Sequence, residues 1–127
     1  MNSSDVKKIA SFDDIIDQNQ LSRDALKALE KRLSQQANMD EFQFTSLQKE
    51  AFNKEGFWRG DPKTDSQHVI VQGATSSGKT LVSEMAIMDC LKSRKKSIVL
   101  VPLKAMVRER CESLQEDLKP LGTGQVY

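Results

Sequence analysis

Residues 69–81 read VIVQGATSSGKTL: a short apolar run, a loop with two glycines and the start of a helix. Within this stretch, residues 73–80 satisfy the pattern G-x-x-x-x-G-K-[ST]. Gly73 and Gly78 permit backbone conformations closed to bulkier residues, so successive N–H groups can curl around phosphate oxygens. The helix that starts near Lys79 adds the positive end of its dipole. The stretch therefore predicts a phosphate-binding loop.

Each residue of the loop has a predicted contact with a nucleotide. Lys79 is the catalytic cation, because its ammonium can reach the β and γ phosphates. The Thr80 hydroxyl is the predicted ligand of Mg²⁺. The other nucleotide-binding residues are Gly73, Ala74, Thr75, Ser76, Ser77 and Gly78. An accidental glycine turn is the alternative, but it requires the lysine, the threonine and the strand-loop-helix order to coincide.

The elements on either side of the loop predict an α/β fold. Residues 68–72 and 97–101 are short apolar runs typical of buried parallel strands, and the spacing of residues 81–91 and 104–118 predicts two helices. Such alternation indicates a parallel sheet with crossover helices. In the second helix, the residues expected to face inward are Ala105, Val107, Cys111, Leu114 and Leu118. Residues 121–127 look like a turn into a third strand that is cut off as it begins.

Residues 1–40 are expected to form an N-terminal helical segment. Apolar residues recur every four positions from Leu21 to Ala37, which predicts a helix with Ser22 as a candidate N-cap. A shorter helical piece is expected around Phe12, preceded by Ser11.

A further helix is expected over residues 44–55. Thr45 is placed to cap this helix, and Gln48 follows three residues later as in a capping box. The next segment, residues 56–67, reads as a loop whose Phe57 and Trp58 enter either a groove or the core. The core is favoured, because large aromatic side chains are usually buried.

Composition sets wider limits. The 127 residues allow one globular core, and the 19 basic and 18 acidic side chains nearly cancel. Basic residues nevertheless dominate residues 91–111, so an anion-binding surface is expected late in the chain. Cys90 and Cys111 indicate neither a disulfide framework nor a zinc site. With no membrane span or secretory signal, we expect an intracellular, cytoplasmic protein, without excluding the nucleus.

Three segments in order resemble the superfamily-2 nucleic-acid helicases of the DEAD/DExH-box group. GATSSGKT resembles their motif I, VPLKAM at residues 101–106 resembles motif Ia, and TSLQ at residues 45–48 resembles the Q motif. The resemblance implies that residues 41–127 are the N-terminal portion of a RecA-like ATP-binding domain, truncated before its later strands. It also implies ATP and Mg²⁺ as cofactors, and RNA or DNA, contacted through a single-stranded backbone, as the partner.

The resemblance assigns roles outside the loop. Gln48 would read the adenine edge, although it is equally suited to capping its helix. Motif Ia would contact the nucleic-acid backbone, with Lys104 and Arg108 on one helix face meeting phosphates. A solvated basic face is the alternative for these two side chains.

Some candidates are set aside. Arg94, Lys95 and Lys96 follow a helix C-terminus, where cations suit the dipole, and His68 has no partners for a catalytic triad. Residues 40–43, DEFQ, imitate an acidic motif II but precede the phosphate loop.

No acidic pair follows a buried strand after Lys79, so we expect this chain alone to be inactive in ATP hydrolysis. Three hypotheses follow. The chain is the nucleotide-binding corner of an ATP-dependent helicase or translocase, a non-catalytic nucleotide- or partner-binding protein with a degenerate helicase core, or an unrelated phosphate-loop enzyme such as a small kinase.

Overall fold

The computed structural model describes residues 8–54, 56–58, 68–74, 78–92 and 95–119. Five helices follow one another in these ranges: α1 (Phe12–Asn19), α2 (Arg23–Gln36), α3 (Ser46–Phe52), α4 (Lys79–Lys92) and α5 (Lys104–Leu118). Helix α1 packs on α2, α2 on α5, and α3 on α4.

The first three helices begin at capping side chains, of which Ser22 and Thr45 were predicted as caps. The hydroxyl of Ser11 accepts a hydrogen bond from the N–H of Asp14 at 3.4 Å, and that of Ser22 accepts one from Ala25 at 3.3 Å. Each bond satisfies one of the N–H groups that a helix start leaves without a partner. The helices predicted around Phe12 and over residues 21–37 are therefore confirmed.

An aromatic chain joins α1, α3 and the turn after α3. The ring of Phe12 lies 5.0 Å from that of Phe44, which lies 5.1 Å from Phe52. Phe52 in turn contacts Phe57 at 5.6 Å, and Phe57 contacts Trp58 at 4.8 Å. Edge-to-face rings at these distances stabilise a core beyond the burial of their area. Phe57 and Trp58 thus lie in and against the core, as predicted.

Helix α4 is the most deeply buried of the helices that follow the loop. Its side chains Leu81, Val82, Met85 and Met88 belong to the same core as the aromatic chain. Burial on several sides holds α4, and with it the residues at its first turn, in a fixed position relative to α3.

The predicted strands are not confirmed. Residues 68–74 and 95–101 lie outside the helices, and none of the described residues forms a β-strand. Ile70, Ile98 and Leu100 are 84%, 88% and 89% exposed, whereas buried parallel strands need helices over both faces. Val71 alone in the first run packs partly against the core. The α/β class therefore has no support from backbone pairing in the described part of the chain.

The interior face predicted for α5 is half wrong. Leu114 and Leu118 are buried, but Ala105 is exposed and Val107 is 50% exposed. The difference arises because only the C-terminal half of α5 is covered by the other helices. The predictions for the third strand, most of the 56–67 loop and Arg94 lie outside the described residues.

Candidate functional site

The phosphate loop is described at its two ends. Gly73 and Ala74 lie at one end, and Gly78, Lys79 and Thr80 lie at the other. The predicted contacts of Thr75, Ser76 and Ser77 fall outside the described residues. The structure thus shows the two ends of the loop and the first residues of the helix that follows it.

Gly78 occupies a position that only glycine fits. Its φ of +82° lies in the left-handed region, which L side chains rarely adopt. A Cβ built on this residue would lie 2.2 Å from the Nε2 atom of Gln48. The second glycine of the motif is therefore required both by the backbone and by the approach of a neighbouring side chain.

Helix α4 begins immediately after Gly78, at Lys79. The first N–H groups of a helix have no partner within it, and they carry the positive end of its dipole. Lys79 and Thr80 stand in this first turn with exposed side chains. A helix start of this kind, following a glycine turn, suits phosphate oxygens.

The Lys79 side chain lies back across the loop. Its Nζ donates a hydrogen bond of 2.7 Å to the carbonyl oxygen of Gly73, six residues earlier. The ammonium therefore connects the two glycine-bearing ends, on the exposed side of the loop. A phosphate group suits this place, because the Lys79 ammonium and the first N–H groups of α4 both lie at this end of the loop.

Gln48 is buried between α3 and the loop, with 3% of its surface exposed. It forms the predicted capping box: its Oε1 accepts from the N–H of Thr45 at 2.9 Å, and the Thr45 hydroxyl accepts from the N–H of Gln48 at 3.2 Å. Its Nε2 also donates to the carbonyl oxygen of Gly78 at 3.0 Å. The capping role is thus observed, while adenine recognition stays a prediction.

The contact between Gln48 and Gly78 was not predicted. From the sequence, Gln48 was expected either to recognise adenine or to cap its own helix. Neither role involves a contact with the phosphate loop. The capping box fixes the orientation of the amide, and its nitrogen then supports the backbone of the phosphate loop.

Lys104 and Arg108 both lie on the exposed part of α5. Arg108 is 90% exposed in its side chain and stands 3.7 Å from Glu112, one helical turn away. An exposed pair of this kind adds little stability and leaves the guanidinium accessible. Arg110 instead faces α4, where its Nη1 lies 3.8 Å from Glu84.

A buried cluster of charges lies where α2, α4 and α5 meet, and sequence reasoning missed it. Arg32 of α2 contacts Asp117 of α5 at 2.6 Å, and Asp117 neighbours Glu84 of α4. The pKa of the Glu84 carboxyl is raised to about 7, first by burial and next by Asp117, whereas Arg32 and Arg110 act in the opposite direction. The sequence held one signal for it, since Glu84 and Asp117 stand beside Met85 and Leu118 in the apolar stripes of their helices.

Other candidate chemistry is sparse in the described ranges. His68 is exposed, and Cys90 and Cys111 are partly buried and form no disulfide among the described residues. Among these residues no group of three or more His, Cys, Asp or Glu is placed to hold a metal ion. None of the described helices is long and apolar enough to span a membrane.

Several curated proteins, some of them named as helicases, are similar to this chain. It is 31% identical to "mRNA transport homolog 4" of Caenorhabditis elegans over 96 residues, which is 74% of this chain and 9% of that protein. It is 38% identical to "ATP-dependent DNA helicase Hel308" of Thermoplasma volcanium over 44% of this chain and 8% of that protein. It is 36% identical to "DExH-box ATP-dependent RNA helicase DExH10" of Arabidopsis thaliana over 47% of this chain and 6% of that protein.

The chain thus spans less than a tenth of the length of these relatives. No solved structure matches it significantly. The sequence model of the DEAD/DEAH box helicase family matches residues 45–126, which run from the cap of α3 through the phosphate loop and α5. This match covers well over half of the sequence, and it implies a RecA-like fold for that region. The chain therefore belongs to the DEAD/DEAH box helicase family.

Proposed function

We propose that this chain is the nucleotide-binding corner of an ATP-dependent helicase or translocase acting on RNA or DNA. The observation that carries the proposal is the position of Lys79, which opens α4 and whose ammonium is hydrogen-bonded to the carbonyl oxygen of Gly73 at the other end of the loop. An ammonium and a helix start at one place select a phosphate-bearing ligand.

Each predicted residue has a role in this proposal. The loop from Gly73 to Gly78 supplies N–H groups to the phosphates, Lys79 supplies a charge, and the Thr80 hydroxyl is the ligand of Mg²⁺. When bound, ATP and Mg²⁺ supply the transferable phosphoryl group and the charge that neutralises its oxygens. Gln48 positions the loop through Gly78 and, as the family resemblance suggests, reads the adenine edge.

The nucleic-acid surface is proposed on α5. Lys104 and Arg108 are exposed on its N-terminal half, where no described helix covers them. Their charges suit the phosphates of a single strand. Since one relative is named a DNA helicase and another an RNA helicase, both polymers remain candidates for this chain. The domain division we propose is an N-terminal helical segment at residues 1–40 and the first part of a RecA-like domain from residue 41.

The test is nucleotide binding by titration calorimetry with ADP and Mg²⁺. We expect Lys79→Ala to weaken binding by roughly tenfold or more, because a charge-assisted contact with phosphate is lost. Lys31→Ala is the matched control, since Lys31 is an exposed lysine on α2, away from the loop. Equal affinities for the two variants would reject a phosphate role for Lys79.

Turnover separates the helicase proposal from a degenerate, non-catalytic core. We expect the 127-residue chain to bind nucleotide without releasing phosphate above background, since its sequence after Lys79 holds no acidic pair following a strand. In a longer form with such a pair, phosphate release stimulated by RNA or DNA and abolished by Lys79→Ala would support the helicase. Binding without stimulated release there would favour the non-catalytic alternative.

A further inference from the structure

Helices α1 and α2 precede residues 45–126, the part of the chain that matches the family, yet they are joined to it by specific polar contacts. The Asn53 side chain holds the backbone of Ile9 at two points. Its Oδ1 accepts from the Ile9 N–H at 2.7 Å, and its Nδ2 donates to the Ile9 carbonyl at 2.8 Å. At the other end of α1, Lys92 of α4 donates to the carbonyl oxygen of Asn19.

A further connection is an ion pair between α2 and α5. The Nη2 atom of Arg32 lies 2.6 Å from Oδ1 of Asp117, whose side chain is only 3% exposed. A carboxylate at this depth requires a charge partner, because burial without one is costly. Arg32 is 33% exposed in its side chain, so the pair lies at the edge of the interior and still reaches into it.

Asp117 connects this pair to the phosphate-loop helix. Its carboxyl group neighbours that of Glu84, which is 4% exposed and whose pKa it helps to raise, and Arg110 approaches Glu84 from α5 at 3.8 Å. The Oδ2 atom of Asp117 is buried without a hydrogen-bond partner among the described residues, which leaves the contact of Oδ1 with Arg32 to offset the burial of this carboxylate. Two acids and two arginines from three helices thus meet at one point on α4.

This point on α4 is close to the proposed nucleotide site. Glu84 follows Lys79 by five residues, a separation of about 7.5 Å along a helix axis. A helix moves as a rigid element over such a length, so a shift of α4 at Glu84 also moves the first turn that carries Lys79 and Thr80.

We propose that Arg32 is a positioning residue for the nucleotide site: by pairing with Asp117 beside Glu84, it fixes α4 and hence the phosphate loop. Residues 8–40 are then a fixed wall of the nucleotide-binding unit and not an independent appendage. This inference rests on the function proposed above. Under this proposal the N-terminal helices support the nucleotide site, a role that no pattern in their sequence indicates.

The test compares Arg32→Gln with Lys27→Gln. Lys27 is the matched control, because it also lies on α2 and pairs with an acid, Asp13 at 2.8 Å, but at an exposed position. We expect Arg32→Gln to weaken ADP–Mg²⁺ binding by roughly three- to tenfold, a usual range for a residue that acts on a site through its neighbours. Lys27→Gln should bind as the unmodified chain does, and Arg32→Lys should recover part of the loss.

A second readout does not depend on nucleotide. Carbon-13 resonances of the Glu84 carboxyl, followed against pH, should show a higher pKa in Arg32→Gln, since Arg32 lowers that pKa in the native cluster. Amide hydrogen exchange in the second turn of α4, where the N–H groups are bonded within the helix, should accelerate in the same variant, while exchange in α3 stays unchanged.

The outcomes distinguish the two proposals. If Lys79→Ala loses affinity but Arg32→Gln does not, the positioning role is wrong and the nucleotide site stands. If Lys79→Ala binds ADP as the unmodified chain does, the nucleotide site itself is wrong. Should Arg32→Gln fail to fold, the double variant Arg32→Leu/Asp117→Leu removes both charges without leaving one unpaired. Full ADP affinity in the folded double variant would also overturn the positioning role.

Discussion

Gln48 supports the phosphate loop directly: its Nε2 donates a 3.0 Å hydrogen bond to the carbonyl oxygen of Gly78, 30 residues further along the chain. The other end of the same amide closes the capping box of α3. One side chain therefore connects the start of one helix to the loop that begins another. This arrangement requires the absence of a side chain at position 78, since a Cβ there would lie 2.2 Å from the amide nitrogen.

The first prediction concerns Gly78→Ala. The substitution should lower the free energy of unfolding by about 1–3 kcal/mol, because alanine is strained at a φ of +82° and its methyl group meets Gln48. Urea denaturation followed by circular dichroism measures the loss. In the double variant Gly78→Ala/Gln48→Ala the clash is removed and only the backbone strain remains, so its loss should be smaller than the sum of the two single losses. Strict additivity would contradict the close contact.

The second prediction concerns pH and Glu84. The folded-state pKa of about 7 exceeds the ordinary value of 4.5, so between these values the folded chain binds more protons than the unfolded chain. The contribution of Glu84 to stability is therefore fully present below about pH 4.5 and is lost as the pH rises through 7. The free energy of unfolding should fall over this range by at most about 3 kcal/mol on account of this group.

Glu84→Gln isolates this effect, because glutamine resembles the protonated acid and does not titrate. Urea denaturation at pH 5 and pH 8 should show a smaller decrease for Glu84→Gln than for the unmodified chain. Glu50→Gln is the matched control, since Glu50 is an exposed glutamate on α3. A decrease of the same size in all three proteins would show that the Glu84 carboxyl titrates normally.

The third prediction concerns Lys104 and Arg108. If both meet phosphates, the double variant Lys104→Ala/Arg108→Ala should bind single-stranded oligouridine or oligothymidine more weakly. The slope of log K against log salt concentration should also become shallower by about 1.4, from two contacts on a single strand. Fluorescence anisotropy at several salt concentrations measures both quantities. The charge-matched control is Lys31→Ala/Lys49→Ala, which alters two exposed lysines on α2 and α3.

If the two double variants have the same slope of log K against log salt concentration, the proposed phosphate contacts are wrong. A shallower slope in both would instead indicate that net charge alone governs binding. ADP affinity serves as an internal check, because neither pair of substitutions touches the proposed nucleotide site.

Local signals in the sequence predicted much of the helical structure. Ser22 and Thr45 cap helices as expected, and Ser11 caps the helix that it was expected to precede, because a cap is decided by residues within one turn of it. The start of α4 at Lys79 was likewise predicted from the glycine loop and the apolar spacing that follows. In each case the sequence pattern and the interaction it predicts lie within a few residues of one another.

Distant pairings could not be predicted in the same way. Arg32 and Asp117 lie 85 positions apart, and neither residue differs in local pattern from an ordinary charged residue on a helix. The contact of Gln48 with Gly78 was hidden for the same reason. The apolar run at residues 97–101 shows the opposite case, in which a clear local pattern led to a wrong prediction. The pattern is typical of buried side chains, but Ile98 and Leu100 are exposed in the structure. Burial depends on what covers a segment, and a local pattern does not contain that information.

The most direct test of the account is the response of the loop amides to a phosphate-bearing ligand. Nitrogen-15 NMR spectra of the chain should be recorded during titration with ADP and Mg²⁺, and again with adenosine, which has no phosphate. We predict that the amide signals of Gly73–Leu81 shift with ADP, shift little with adenosine, and lose the ADP response in Lys79→Ala. Signals that respond equally to adenosine and ADP, or that keep the ADP response in Lys79→Ala, would contradict phosphate recognition by this loop.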